Sequence, residues 1–194
     1  MAEISLGEHD RIVFHGTNAH FENFDLSAAA SLTDANADAN GALGIHLTDE
    51  PGEAAEYAEA HGGREAGEPI VLAVIAPAEN PYLDMDYYQF FGYENEEDAA
   101  TDAAGFVWFR QALLRKGHDS VEYEDGEQHI LVSLAPEKLR IVARLMPAEA
   151  LDLQSKFEGL GEKERLDDHV RAQLLAEILN ARKSPSTGNG SLSR

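Results

Sequence analysis

The chain has 194 residues, 43% of them hydrophobic, which is enough for one domain with a buried core. It contains no cysteine, so disulfides, thiolate nucleophiles and zinc–thiolate sites are excluded within it. Thirty-six acidic and fifteen basic residues give a net charge of −21, which disfavours binding to phosphate backbones. No apolar run approaches the ~20 residues of a bilayer crossing, and the first residues lack a signal-peptide pattern, so we expect a cytoplasmic protein that does not associate with membranes.

The strand predictions follow from β-branched and aromatic runs that end at glycine, proline or polar residues. Residues 11–17 predict the first strand, and residues 45–47 predict a second, short and buried one. Between them, residues 27–42 have no apolar period and predict a loop with at most a short helix. The near-continuous apolar run 70–75 is typical of a central strand covered on both faces. Three more strands are predicted in quick succession, at 120–123, 129–134 and 139–144.

Two helices are predicted between these strands. Thr48 or Asp49 is expected to cap the first, which has Pro51 in its first turn. A second helix is predicted from 96–98 to about Lys116. Its apolar positions recur at helical spacing and are expected to face the core: Phe106, Phe109, Leu113 and Leu114. The aromatic-rich stretch 82–93 before it is interpreted as the edge of the core, the alternative being a loop over a binding site.

The C-terminal part predicts a helical region that begins at Pro147. One apolar stripe runs along it, formed by Leu166, Val170, Leu174, Leu175 and Ile178. This stripe either packs back on the domain or binds a protein partner. Five or six strands with only two intervening helices indicate an α+β fold with a split or folded sheet. We therefore expect one α+β domain over 1–146, a helical extension over 147–183 and a disordered tail over 184–194.

One ordered set of residues favours an active site. His15, Gly16 and Thr17 stand at the end of the first strand, His46 lies in the second strand, and Tyr57 follows His46 by eleven residues on the next helix. Taken singly, each is more readily explained as part of the core. Their joint order is what favours an active-site cleft.

These segments resemble the ADP-ribosyltransferase superfamily of the diphtheria-toxin and poly(ADP-ribose) polymerase type. That family has a first-strand His in a His-Gly-Thr-like turn, then a Gly-x-Tyr-x-Thr-like strand and a helix with a second Tyr eleven residues on. The segment 117–142 is also similar to the family's two closing strands and their Pro-containing turn. The resemblance spans residues 11–142, and it implies a split antiparallel β-sandwich with toxin- or effector-like NAD chemistry.

The resemblance implies a role for each matched position, with NAD as co-substrate. His15 is expected to hydrogen-bond the ribose of the adenosine half of NAD, and an exposed Gly16 backbone to meet the nicotinamide carboxamide. His46 and Tyr57 would enclose the nicotinamide ring and exclude water from the glycosidic bond. The resemblance of this chain to the family's His-Gly-Thr-like turn and Gly-x-Tyr-x-Thr-like strand also assigns Thr17 and Thr48 to the NAD site. No metal is expected.

The catalytic carboxylate departs from the family pattern. The family places a Glu, sometimes Gln or Asp, at the start of the penultimate strand, where this chain has Glu127 and Gln128. Matching the strands without a gap selects Gln128 or Ile130, whereas Glu127 is one residue away. Neighbours in a strand face opposite sides, so only one of the pair reaches the site. We interpret Glu127 as the catalytic residue because an oxocarbenium-like ribose needs a negative charge, with Gln128 as the alternative.

His46 is a second departure, because a transferase of this type usually carries Tyr there. A His is similar to the related RNA 2′-phosphotransferases, which also use NAD, but their phosphate-holding arginines have no counterpart before His46. A third possibility is a non-catalytic module on the same fold that binds a protein. We expect an ADP-ribosyltransferase whose macromolecular acceptor is a protein rather than a nucleic acid.

Overall fold

The computed structural model describes residues 3–26, 39–60, 67–83, 103–125, 128–165 and 167–183. The strands are β1 Asp10–Thr17, β2 Ile45–Thr48, β3 Ile70–Pro77, β4 Pro81–Leu83, β5 Ser120–Asp125, β6 Gln128–Ser133 and β7 Arg140–Leu145. The helices are α1 Pro51–Ala60, α2 Ala103–Arg115, α3 Pro147–Glu158, α4 Glu162–Arg165 and α5 Asp168–Lys183. Two short 3₁₀ turns span Ala39–Ala42 and Pro136–Lys138. None of the described helices is long and apolar enough to cross a bilayer.

Within these ranges, seven strands form one sheet in the order β4-β5-β6-β2-β1-β3-β7. Neighbouring strands are antiparallel, except that β4 and β5 are parallel. β1 pairs with β3 along its whole length, whereas its described pairing with β2 is the single pair Phe14–Thr48. We call this junction between β1 and β2 the seam. The sheet is thus divided into a β1-β3-β7 half and a β4-β5-β6-β2 half, and the α+β class is confirmed.

A central hydrophobic cluster joins the two halves of the sheet. It takes Val13, Leu72 and Val74 from one half and Ile45, Leu47 and Leu131 from the other. The opposite face of β1 and β3 packs on α1, α3 and α5 in a second cluster. Side chains of β5 and β6 form a third cluster with α2. Both halves are therefore covered by helices on their outer faces, as expected for an α+β domain.

Most predicted elements are confirmed. The strand at 70–75 is β3, which is buried along nearly its whole length, and the helix after Thr48 is α1. One packing prediction is wrong, because Leu114 is 38% exposed. It directly follows the buried Leu113, and a rotation of about 100° per residue carries it off the buried face of the helix. The predictions for 27–38, the helix start at 96–98, most of the aromatic stretch 82–93 and the tail 184–194 lie outside the described residues.

Part of the C-terminal stripe packs on the domain, and Leu166 lies outside the described residues. Leu175 and Ile178 of α5 are buried in the same cluster as Ile12 and Phe14 of β1. The apolar face of α5 is therefore part of the core, which leaves little of it for a protein partner. The boundary between residues 146 and 147 remains a prediction.

Candidate functional site

His15 lies at the seam, where its side chain meets the backbone of the neighbouring strand. Its Nδ1 is 3.0 Å from the carbonyl oxygen of His46. A carbonyl only accepts, so Nδ1 carries the proton and donates. Burial lowers the pKa of His15, and the hydrogen bond to His46 offsets only part of this effect. The ring is therefore neutral at pH 7, with Nε2 left as an acceptor.

Aromatic rings enclose one side of His15. Phe24 meets it edge-on at a centroid separation of 5.3 Å, and Phe21 lies at 6.5 Å. The segment that carries both rings is tied to the sheet, because Arg144 of β7 donates to the carbonyl of Phe21. This arrangement fixes the orientation of the imidazole.

His46 is held in a more enclosed position on β2. Burial lowers the pKa of His46 to about 4, while a backbone hydrogen bond to Gly44 opposes the shift and nearby His15 adds to it. Its Nε2 is buried and has no hydrogen-bond partner among the described residues. An unpaired buried polar atom costs free energy and is unusual in a native core.

The two residues that follow His15 have local structural roles. Gly16 is buried, and a Cβ there would lie 1.9 Å from the carbonyl oxygen of Ala54 in α1. The glycine therefore permits close approach of α1 to β1, and the expectation of an exposed Gly16 backbone is wrong. The Thr17 hydroxyl accepts a hydrogen bond from the backbone N–H of Ala19 at 3.1 Å, which shapes the exit from β1.

We call Thr48, Glu53 and Gln128 the polar cluster. The sequence predicted Thr48 and Gln128 as site residues but not Glu53. The Thr48 hydroxyl donates to Glu53 Oε2 at 2.9 Å and accepts from the N–H of Glu50 at 3.1 Å. The side chain of Gln128, at the start of β6, also interacts with Glu53 and lowers the pKa of that carboxyl, as the weakest of the influences on it. Burial raises the pKa of Glu53, and the Thr48 hydrogen bond opposes that shift. The structure thus brings together a carboxylate, a hydroxyl and an amide.

The sheet register places this cluster on the same face as His46. His46 pairs with Val132 and Thr48 with Ile130, so the alternation of side chains puts Gln128 on their side. Glu53 was missed by the sequence analysis. The available signal was an acidic residue in the first turn of a helix that follows a threonine.

The remaining predicted site residues are Tyr57 and Glu127. Tyr57 lies on α1, four residues after Glu53, so the two share one face of the helix. It is 55% exposed, and its stacking opposite His46 remains a prediction. Glu127 lies outside the described residues.

A second group of charges joins the two halves of the sheet near the site. Arg11 of β1 lies 3.1 Å from Asp168 of α5 and 3.7 Å from Glu122 of β5. Glu122 in turn lies 3.3 Å from Nε2 of His129 on β6. The hydrogen bond to Glu122 raises the pKa of His129 against the effect of burial, and the same bond lowers the pKa of Glu122. We call Arg11, Glu122, His129 and Asp168 the seam network.

Comparison with known proteins gives a limited result. No protein-family model matches the sequence, and no curated protein matches it. A structure of the M. tuberculosis MbcT-MbcA toxin-antitoxin complex is similar at 15% identity and a TM-score of 0.45, over 75% of this chain and 90% of that one. A structure of an anti-CRISPR protein is similar at 19% identity and a TM-score of 0.39, over 72% of this chain and 98% of that one. These TM-scores describe a loose likeness of architecture, and neither assigns an activity to this chain.

Proposed function

We propose that this protein is an NAD-dependent ADP-ribosyltransferase that cleaves the nicotinamide–ribose bond and transfers ADP-ribose to a protein acceptor. The observation that carries the proposal is the hydrogen bond from His15 to the His46 carbonyl at the seam. It brings the side chain of His15 to the backbone of His46, although the two residues are far apart in the sequence. Tyr57 lies on the helix that follows directly.

The ionisation of the two histidines suits this substrate. A neutral His15 with an unprotonated Nε2 can accept a hydrogen bond from a ribose hydroxyl, which a doubly protonated ring could not do. A neutral His46 does not repel the cationic nicotinamide ring, whereas an imidazolium would. Both roles depend on burial that keeps the rings uncharged at pH 7.

In the proposed reaction, the bond between ribose C1′ and the nicotinamide nitrogen breaks, and its electron pair leaves with neutral nicotinamide. A nucleophilic group of the acceptor bonds to C1′ and loses its proton to solvent. Positive charge develops on the ribose ring, so a nearby carboxylate stabilises the transition state. Glu127 is the proposed carboxylate. Glu53 is the second candidate because it contacts Thr48 and Gln128, which the resemblance also assigns to the site.

The acceptor is proposed to be a protein because the net charge of −21 repels nucleic acid at long range. Incubation of cell lysate with NAD labelled in the adenosine half tests this point. Label in protein supports the proposal, and label in nucleic acid contradicts it.

Nicotinamide release from NAD by purified protein tests the activity itself. We expect slow release with water, faster release with an acceptor, and a loss of at least about 10²-fold in the variant that lacks the catalytic carboxylate. Glu127→Gln and Glu53→Gln are compared with Glu56→Gln, a matched control on the exposed face of α1. His15→Ala should also abolish release.

Each outcome has a distinct meaning. A fully active Glu127→Gln enzyme with an inactive Glu53→Gln enzyme transfers the role to Glu53. Calorimetric titration that shows no heat with NAD contradicts the proposal and favours a non-catalytic module. Removal of a phosphate from a 2′-phosphorylated oligonucleotide, with NAD required, shows instead a 2′-phosphotransferase.

A further inference from the structure

Arg171 is a buried cation on α5, only 3% exposed, and it lies outside every motif that points to NAD. Its guanidinium donates to the backbone carbonyl of Asp49 and has a second nitrogen 3.8 Å from the Asp49 carboxylate. It also lies over the rings of Phe157 and Phe14, at 4.8 and 5.8 Å from their centroids. Arg171 therefore spans from the outer helical layer to the residue that follows β2.

Asp49 belongs to the short turn between β2 and α1, and that turn sets the geometry of the polar cluster. Thr48 ends β2 directly before it, and Glu53 lies in the first turn of α1 directly after it. The Thr48–Glu53 hydrogen bond closes across the turn. A displacement of Asp49 would therefore separate these two side chains.

The same helix also holds the strand of His15. Asp168, in the first turn of α5, accepts a hydrogen bond from the N–H of Ile12 at 2.7 Å and pairs with Arg11. One helix thus contacts strand β1 and the turn that directly follows strand β2, and these two strands meet at the seam. Since those strands share a single described pair, α5 supplies a connection that the sheet itself provides only weakly.

Burial of Arg171 is not explained by packing alone. A methionine of similar length would fill the space between two phenylalanine rings without the cost of desolvating a guanidinium. What the arginine adds is a hydrogen bond from one nitrogen to the Asp49 carbonyl and a second nitrogen facing the Asp49 carboxylate. Its Nε has no hydrogen-bond partner among the described residues.

We infer that Arg171 is a positioning residue, which holds the β2–α1 turn so that Thr48 and Glu53 face the NAD site. The effect on turnover rests on the proposed function, whereas the effect on the turn does not. The C-terminal helix is then part of the catalytic unit.

Hydrogen exchange on the full chain tests the effect on the turn. The reporters are the amides of Glu50, Gly52 and Ala54, each hydrogen-bonded within or against the turn. In Arg171→Met, exchange at these amides should accelerate by about tenfold or more, while exchange in β3 stays unchanged. Arg171→Lys keeps the charge without the planar guanidinium and should be intermediate.

Two further variants keep the test decisive. Asp49→Asn retains the carbonyl acceptor and should accelerate exchange less than Arg171→Met. Arg182→Met is the matched control, because Arg182 lies on the same helix and pairs with Glu149 at the surface. Equal acceleration in the turn and in β3 would show a general loss of stability and would overturn the inference, as would unchanged exchange in the turn.

Kinetics provide the second readout. A loss of folded protein lowers the apparent kcat without changing KM, whereas a displaced turn weakens NAD binding. We expect Arg171→Met to raise KM for NAD by about tenfold, with Arg182→Met close to wild type. An unchanged KM contradicts the positioning role. If the wild-type protein releases no nicotinamide, the proposed function fails and the exchange experiment alone decides on Arg171.

Discussion

The imidazole of His46 shows how burial sets the charge of a single residue at the site. Its pKa is lowered to about 4 by burial, so the folded protein binds this proton less readily than the unfolded chain, in which a histidine titrates near 6.5. Between these two values the unfolded state holds more protons. Stability from His46 is therefore complete above pH 6.5 and is lost as the pH falls towards 4.

This linkage predicts a measurable pH dependence. From pH 7 to pH 5, His46 should reduce the free energy of unfolding by about 2 kcal/mol. In His46→Asn, whose amide can still donate to the Gly44 carbonyl, that part of the dependence should vanish. Urea unfolding of both proteins at the two pH values measures the difference. An equal pH dependence in both would show that His46 is not the group that titrates.

The sequence identified the histidines of the site but not its carboxylate. His15 and His46 lie on predicted strands, and the family resemblance implied that they share a site; the pairing of those strands was not predicted. The parity argument correctly placed Gln128 on the side of Ile130 and Val132. Glu53 was not predicted as a site residue, because its contact with Gln128 joins a helix to the start of a distant strand. Neither the spacing nor the type of these residues indicates that contact.

At the scale of elements, Gly16 governs how closely α1 lies on β1. A Cβ at this position would lie 1.9 Å from the carbonyl oxygen of Ala54 and 2.9 Å from the nitrogen of Ala58. Both are backbone atoms of α1, so no side-chain rotation relieves the clash. An added methyl group must instead move the helix, which carries Glu53 and Tyr57.

Gly16→Ala should therefore reduce the free energy of unfolding by about 1–3 kcal/mol, the usual cost of overpacking a core. Gly41→Ala is the matched control, because a Cβ there meets nothing within 4 Å. Thermal unfolding of the two variants measures the effect. If the two variants lose stability equally, then α1 is not held at the distance that Gly16 permits.

The elements themselves could be predicted where the sequence pattern is local. β3 was indicated by its apolar run, and α1 by Pro51 after the two candidate caps, Thr48 and Asp49. The sheet order could not be predicted, because the pairing of β2 with β6 joins residues more than eighty positions apart. The packing of α5 on the sheet was left open for the same reason, since an apolar stripe does not specify which surface covers it.

At the scale of the whole molecule, the seam network joins the two halves of the sheet where strand pairing is sparse. Glu122 lies at the centre of this network. It pairs with Arg11 on the β1-β3-β7 half of the sheet and with His129 on its own half. The hydrogen bond to Glu122 raises the pKa of His129. The stabilisation that the His129–Glu122 pair contributes is therefore present below pH 6.5, the ordinary pKa of a histidine. It is lost as the pH rises through the raised pKa of His129. The change of stability with pH that His129 contributes has the opposite sign to the change that His46 contributes. The two histidines together therefore favour maximal stability near pH 6.5.

His129→Asn tests this contribution. The substitution should lower the free energy of unfolding by about 0.5–1 kcal/mol at pH 6, the range for a partly exposed ion pair, and by much less at pH 8.5. Glu122→Gln and the double variant complete a cycle that isolates the coupling between the two side chains. Because Glu122 also pairs with Arg11, its single variant should retain a cost at pH 8.5 that His129→Asn does not show. High salt should reduce the coupling at pH 6 through screening. A coupling energy that is the same at pH 6 and pH 8.5 would mean that the His129 charge does not contribute to holding the seam.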